Sequence, residues 1–134
     1  MYTNLEHSAI LRAVEFLLGQ FSRRRYQSLS VTKHGKNGVR FGRCYNFSTH
    51  LTVSLSSLAE IVSYDLGHLY FTLGDVLLQQ IIGIGMGSNI GPALALITTA
   101  YTEYQWIKSI YWRFPTILFK SARYVDDTLA LAGL

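Results

Sequence analysis

Cysteine occurs once, at Cys44, which excludes an intrachain disulfide and leaves a cysteine-based metal site without a second ligand. A reducing compartment is in keeping with that usage. Proline occurs twice, at 92 and 115, and no linker, internal repeat or low-complexity tract divides the chain, so one domain piece is expected. The first residues, Met1-Tyr2-Thr3-Asn4-Leu5-Glu6-His7, lack the basic and apolar regions of a signal peptide. The expectation is an intracellular protein, nuclear or cytoplasmic and not secreted. Charge is sparse too, and none falls between Val76 and Thr102.

That uncharged segment is long enough to cross a bilayer. Gly83, Gly87 and Gly91 also fall four apart, as small residues do where membrane helices pack. Gln79-Gln80, Ser88-Asn89 and Pro92 argue against a span, because polar groups and a helix breaker are expensive in lipid. A membrane is therefore not the expected partner. What the chain does have is apolar surface: 49% of its 134 residues, enough for a core. The net charge of +4 and a pI near 9.3 favour an anionic partner without identifying one.

Residues 8–21 place Ile10, Leu11, Val14, Leu17, Leu18 and Phe21 on one helical face, with Asn4 or Ser8 as the cap and Gly19 weakening the end. Residues 22–50 are the least regular. Ser22-Arg23-Arg24-Arg25-Tyr26 is a basic run, read first as a solvated face and second as a phosphate contact. Asn37-Gly38 suggests a hairpin turn, and Val39, Phe41, Tyr45 and Phe47 alternate as in a strand. His7, His34, His50 and His68 share no metal-ligand spacing and are read as structural or exposed.

A second helix is expected over 51–66, with Leu55, Leu58, Ala59, Ile61 and Val62 on one side and Ser56-Ser57 on a polar face. Residues 69–72 and 76–79 flank Leu73-Gly74-Asp75 as a hairpin. A third helix over 92–107 carries Leu94, Ile97, Tyr101 and Tyr104 on one stripe. Trp106, Tyr111, Trp112 and Phe114 then form a connection broken by Pro115, packing on the core rather than stacking on bases. Apolar arms on either side of Asp126-Asp127 predict a last hairpin with the acids at its tip.

Two stretches carry chemistry. In Gln80-Ile81-Ile82-Gly83-Ile84-Gly85-Met86-Gly87-Ser88-Asn89-Ile90-Gly91-Pro92-Ala93-Leu94-Ala95, four glycines lie within residues 83–91 and a proline opens an apolar run. This pattern describes a bare backbone loop feeding a helix. The second stretch is Arg123-Tyr124-Val125-Asp126-Asp127-Thr128. Their order and content resemble motifs B and C of a reverse transcriptase palm, of the Penelope-like, non-viral retroelement type. Tyr2-Thr3-Asn4 resembles the tail of motif A, whose aspartate would lie upstream of Met1.

The resemblance implies an α+β fold: a partial right-hand polymerase palm, an antiparallel sheet with helices on one face, fingers and thumb absent. It divides residues 1–134 into a motif A tail (1–7), a hairpin with motif B (69–95) and motif C (123–128). It implies RNA-directed DNA synthesis by two-metal nucleotidyl transfer to a primer 3′-OH, with two Mg²⁺ ions, or Mn²⁺ in their place. Asp126 and Asp127 are then the catalytic, metal-binding pair. Tyr2 is a steric gate against a 2′-OH, and Gln80, Gly83, Met86, Gly87, Ser88 and Tyr124 face nucleotide or template. The implied partners are an RNA or DNA template with primer, dNTP, and the N-terminal and C-terminal portions of a parent protein. Gly91 departs from the family, which often has a serine there that would cap the helix slightly better. From another class, the alternative is a small membrane-associated or interaction protein built on the 76–102 segment; a third reading is an inactive retroelement relic.

Overall fold

The computed structural model describes residues 4–34, 38–43, 46, 48–85, 87–113, 118–124 and 127–133. Over these, the chain is α+β. Helix α1 (His7–Arg23) is followed by strands β1 (Ser28–Thr32), β2 (Val39–Phe41) and β3 (His50–Ser54), and then by helix α2 (Leu55–Gly67). Strands β4 (Tyr70–Leu73) and β5 (Val76–Gln79), helix α3 (Gly91–Arg113), and strands β6 (Leu118–Tyr124) and β7 (Asp127–Gly133) complete the order. All strand pairing is antiparallel, in the orders β2-β1-β3, β4-β5 and β6-β7.

The core lies among the three helices. Ile10 and Val14 of α1, Leu66 of α2, Leu94 and Ala95 of α3, and Ile84 from the glycine-rich loop form one buried cluster. The apolar spacing of residues 8–21 does what it predicts, with Ile10, Ala13 and Val14 buried. The stripe on α3 also faces inward. Leu94 is 3% exposed, Ile97 packs against the core, and Phe16 of α1 lies 4.9 Å from the Tyr101 ring and 5.0 Å from the Tyr104 ring. Thr98 is buried on the same helix without loss, because its hydroxyl donates to the Leu94 carbonyl at 2.7 Å.

Four expectations are corrected. Neither Asn4 nor Ser8 caps α1: the cap is Glu6, whose carbonyl accepts from Ala9 and Ile10 while Ser8 donates to its carboxylate at 3.3 Å. Glu6 is fixed there by an antiparallel bridge to Ile82, so tertiary pairing sets the helix start. The helix runs two residues past its expected end at Phe21, to Arg23, with Phe21 braced 4.9 Å from Phe41. The second helix begins at Leu55, not at residue 51, because residues 51–54 pair in full register with β1. β-Branched Thr52 and Val53 suit that strand, and Ser54 then caps α2 by accepting from the Ser57 amide at 3.0 Å. The inward side of α2 runs Leu55, Val62 and Leu66, while Ile61 stays 53% exposed.

The fourth correction concerns the aromatics. Trp106, Tyr111 and Trp112 all lie on α3, which runs to Arg113, six residues beyond the expected end at 107, and they are exposed, Trp112 by 88%. Tyr45, Phe47, Phe114 and Pro115 lie outside the described residues, as does Asn37 of the expected turn. The β4–β5 hairpin is as expected, Leu73 opposite Val76, with Gly74 at φ 61° in the two-residue turn. The uncharged 76–102 segment is divided among β5, the loop and α3, and no described helix is long and apolar enough to cross a membrane.

Replacing Ile10 by Ala should lower the unfolding free energy by about 3 kcal/mol, from lost burial and the cavity left behind. Ile61→Ala should change it by less than about 0.5 kcal/mol. Urea titrations of the two variants check the assignment of the core face.

Candidate functional site

The glycine-rich loop is tied down at both ends. At its start the Gln80 amide donates to the Leu69 carbonyl at 2.7 Å, holding it to the base of the β4–β5 hairpin. Next, the Gly83 amide donates to the Leu5 carbonyl at 2.7 Å, and His7 Nε2 lies 2.8 Å from the Gly83 carbonyl oxygen, donating in the tautomer that protonates it. With the Glu6–Ile82 bridge, residues 5–7 are stitched to 82–83. Ile84, 2% exposed, then drops into the core. Successive turns, Ser88 amide to Gly85 carbonyl and Gly91 amide to Ser88 carbonyl, carry the chain into α3. Pro92 falls in the first turn of that helix, where its missing N–H costs nothing.

Between this loop, the end of α2 and the start of β4 is a cleft of about 970 Å³. Gln80, Gly85, Gly87 and Ser88 line it from the loop side, and Asp65, Tyr70 and Phe71 line it from the other. The predicted site residues Gln80, Gly87 and Ser88 thus share one surface, and Gly83 sits behind them as a buried anchor. Gly87 holds φ 94° with open space where a Cβ would point. The need there is conformational: the loop exposes bare backbone because it turns through the left-handed region. The Gln80 side chain folds onto its own loop, its amide donating to the Ile82 carbonyl at 2.9 Å.

Asp65 and Asn89 line the cleft and were missed in the sequence. Asp65 reads there as an ordinary polar position near a helix end, and nothing in its spacing announces the loop it faces. Asn89 lies inside the glycine-rich stretch, at a position that the resembling pattern leaves open.

The second motif forms a hairpin, as predicted. Strands β6 and β7 pair from Leu118–Gly133 to Tyr124–Asp127. Asp127 opens β7, opposite Tyr124. Asp126 lies between them in sequence and outside the described residues, as do Tyr2 and Met86, and the Asp127 and Tyr124 side chains are likewise not described. Among the described residues no three His, Cys, Asp or Glu side chains gather to hold a metal ion. The structure therefore joins residues 5–7 to the glycine loop, and the acidic hairpin is a two-stranded sheet of its own.

No family model, curated protein or solved structure matches the chain.

Gly91 explains its own departure from the resembling pattern. A Cβ there would meet Ile84 Cγ2 at 3.1 Å, and Ile84 is itself held in the core. Gly91→Ser should therefore destabilise by about 1 kcal/mol through overpacking, despite the better cap. The double variant Gly91→Ser with Ile84→Leu, which removes the β-branch methyl that a Cβ at 91 would meet, should recover part of that loss in thermal unfolding. Gly87→Ala should cost about 1–2 kcal/mol from its positive φ, with no steric contribution.

Proposed function

We propose that this chain is the palm segment of a reverse transcriptase, running from the tail of motif A through motif B to motif C. One observation carries the reading. The residues that resemble the motif A tail lead directly into Leu5–His7, and those residues are hydrogen-bonded to the start of the glycine loop across 76 positions of sequence. A palm needs that juxtaposition, because the gate and the loop must bound the same nucleotide. The acidic hairpin supports it by register, since Tyr124 opposite Asp127 leaves only Val125 and Asp126 at the tip in sequence.

The donor chemistry suits the implied ion. Adjacent carboxylates at 126 and 127 offer hard oxygen ligands, and Mg²⁺ completes its shell with waters and substrate phosphates. When bound, Mg²⁺ would make the primer hydroxyl more acidic and neutralise the triphosphate. The chain's own residues do the rest. The bare backbone at Gly85 and Gly87 accepts a flat sugar or base with no side chain in the way, and Gln80 and Ser88 supply hydrogen-bonding groups beside it. Tyr2 sets the size of sugar that fits. Asp126 and Asp127 hold the negative charge that positions the cation, and their mutual repulsion falls when it binds.

In a template–primer extension assay with Mg²⁺ and dNTPs, the 134-residue chain alone should be silent. A version extended upstream through a motif A aspartate should synthesise DNA, and Asp126→Asn should abolish that synthesis. Synthesis that survives Asp126→Asn, or an extended chain that stays inert, would sink the proposal.

A further inference from the structure

We infer that a second cleft, at the other end of α1, binds the phosphate backbone of single-stranded nucleic acid. It encloses about 910 Å³ between the C-terminus of α1 and the β2-β1-β3 sheet. Arg25 and Arg43 line it together with Tyr26 and the hydroxyl residues Ser28, Thr52 and Ser54. No aspartate or glutamate lines it. Two arginines beside hydroxyl-bearing residues suit a phosphodiester chain, and a tyrosine among them offers the stacking platform that single strands use.

The backbone around the cleft is built for this placement. Helix α1 ends with the Tyr26 amide donating to the Phe21 carbonyl at 3.2 Å and the Arg25 amide to the Ser22 carbonyl at 2.9 Å. That closing pattern puts its penultimate position in the left-handed region, where glycine is the usual occupant. Here it is Arg25, at φ 67°, the one non-glycine residue with positive φ among the described residues. The left-handed turn lets the consecutive residues Arg25 and Tyr26 both line the cleft. Opposite it, Ser30 is fully buried and donates to the Gly42 carbonyl at 2.7 Å, with Thr52 Oγ1 3.1 Å away. This pins the residue that precedes Arg43. Tyr26 is braced by Phe41 at 4.6 Å and remains 39% exposed.

The cleft does not rest on the polymerase reading. It lies one helix length from the glycine loop, 17 residues or about 25 Å, and failure of the extension assay leaves its charge and geometry intact.

The test is binding of a fluorescent oligothymidylate to the full chain, by anisotropy over a salt series. Arg25→Gly and Arg43→Gln should each bind about tenfold more weakly. Each should also make the plot of log affinity against log salt shallower by about 0.7. Arg25→Gly should at the same time raise the thermal midpoint, because glycine relieves the left-handed conformation. A binding loss in a better-folded variant separates contact from stability. Arg12→Gln, an exposed charge on α1 outside the cleft, should change affinity less than about twofold. Parental affinity in both cleft variants would overturn the inference. So would an equal loss in Arg12→Gln, which means binding by net charge alone, or tighter binding of a duplex than of the single strand.

Discussion

The face that α1 turns toward the other two helices is the constraint on which the rest depends. Ile10, Ala13 and Val14 are withdrawn from water there, against Leu66 of α2 and Leu94 and Ala95 of α3. Ile84 belongs to the same cluster. A loop made largely of glycine has high conformational entropy and few side chains with which to hold a shape. This one keeps its shape because a single isoleucine is buried in the helical core and the flanking backbone is bonded to residues 5–7. The cleft beside the loop thus depends on hydrophobic packing, with the glycine-rich segment fixed at its most buried point.

Much of this was legible in residue spacing. The face of α1, the stripe on α3 and the two hairpins around Gly74 and before Asp127 follow from local periodicity and turn chemistry, which a sequence displays directly. What escaped it was decided by distant partners. Residues 51–54 run straight into the apolar spacing of α2, and pairing with β1, a partner some twenty residues away, makes them a strand. Glu6 is a poor cap by type and serves as one because Ile82 pairs with it. The last turn of α1 reaches Arg23 with Phe21 packed on Phe41, a ring twenty residues on that local spacing does not reveal. At the site, Gln80, Gly87 and Ser88 were recoverable because their spacing forms a pattern, whereas Asp65 joins the cleft from another element and leaves no trace in its own neighbourhood.

Gly91 and Ile84 illustrate how a departure from a familiar pattern can be internally consistent. A side chain at 91 and a long one at 84 compete for the same space, with 3.1 Å between the would-be Cβ and Ile84 Cγ2. The chain fills it from the loop side. The helix gives up a slightly better cap, and the loop gains its anchor in the core. Arg25 is a different case, a residue in the left-handed region that lines a cleft with a second arginine and no acidic residue.

The contact between His7 and Gly83, separated by 76 positions, also sets an order of events. During synthesis α1 emerges first, and its apolar face has no partner while the small sheet and α2 are being made. Only when α3 has left the ribosome can that face close. Contacts of such long sequence separation form slowly, and the exposed helix is open to misassociation in the meantime. A nascent chain interrupted before residue 91 would therefore present its stickiest surface, the one around Ile10, to chaperones and proteases. The glycine loop would take its shape only once α3 is made, because Ile84 has no core to enter until Leu94 and Ala95 are in place.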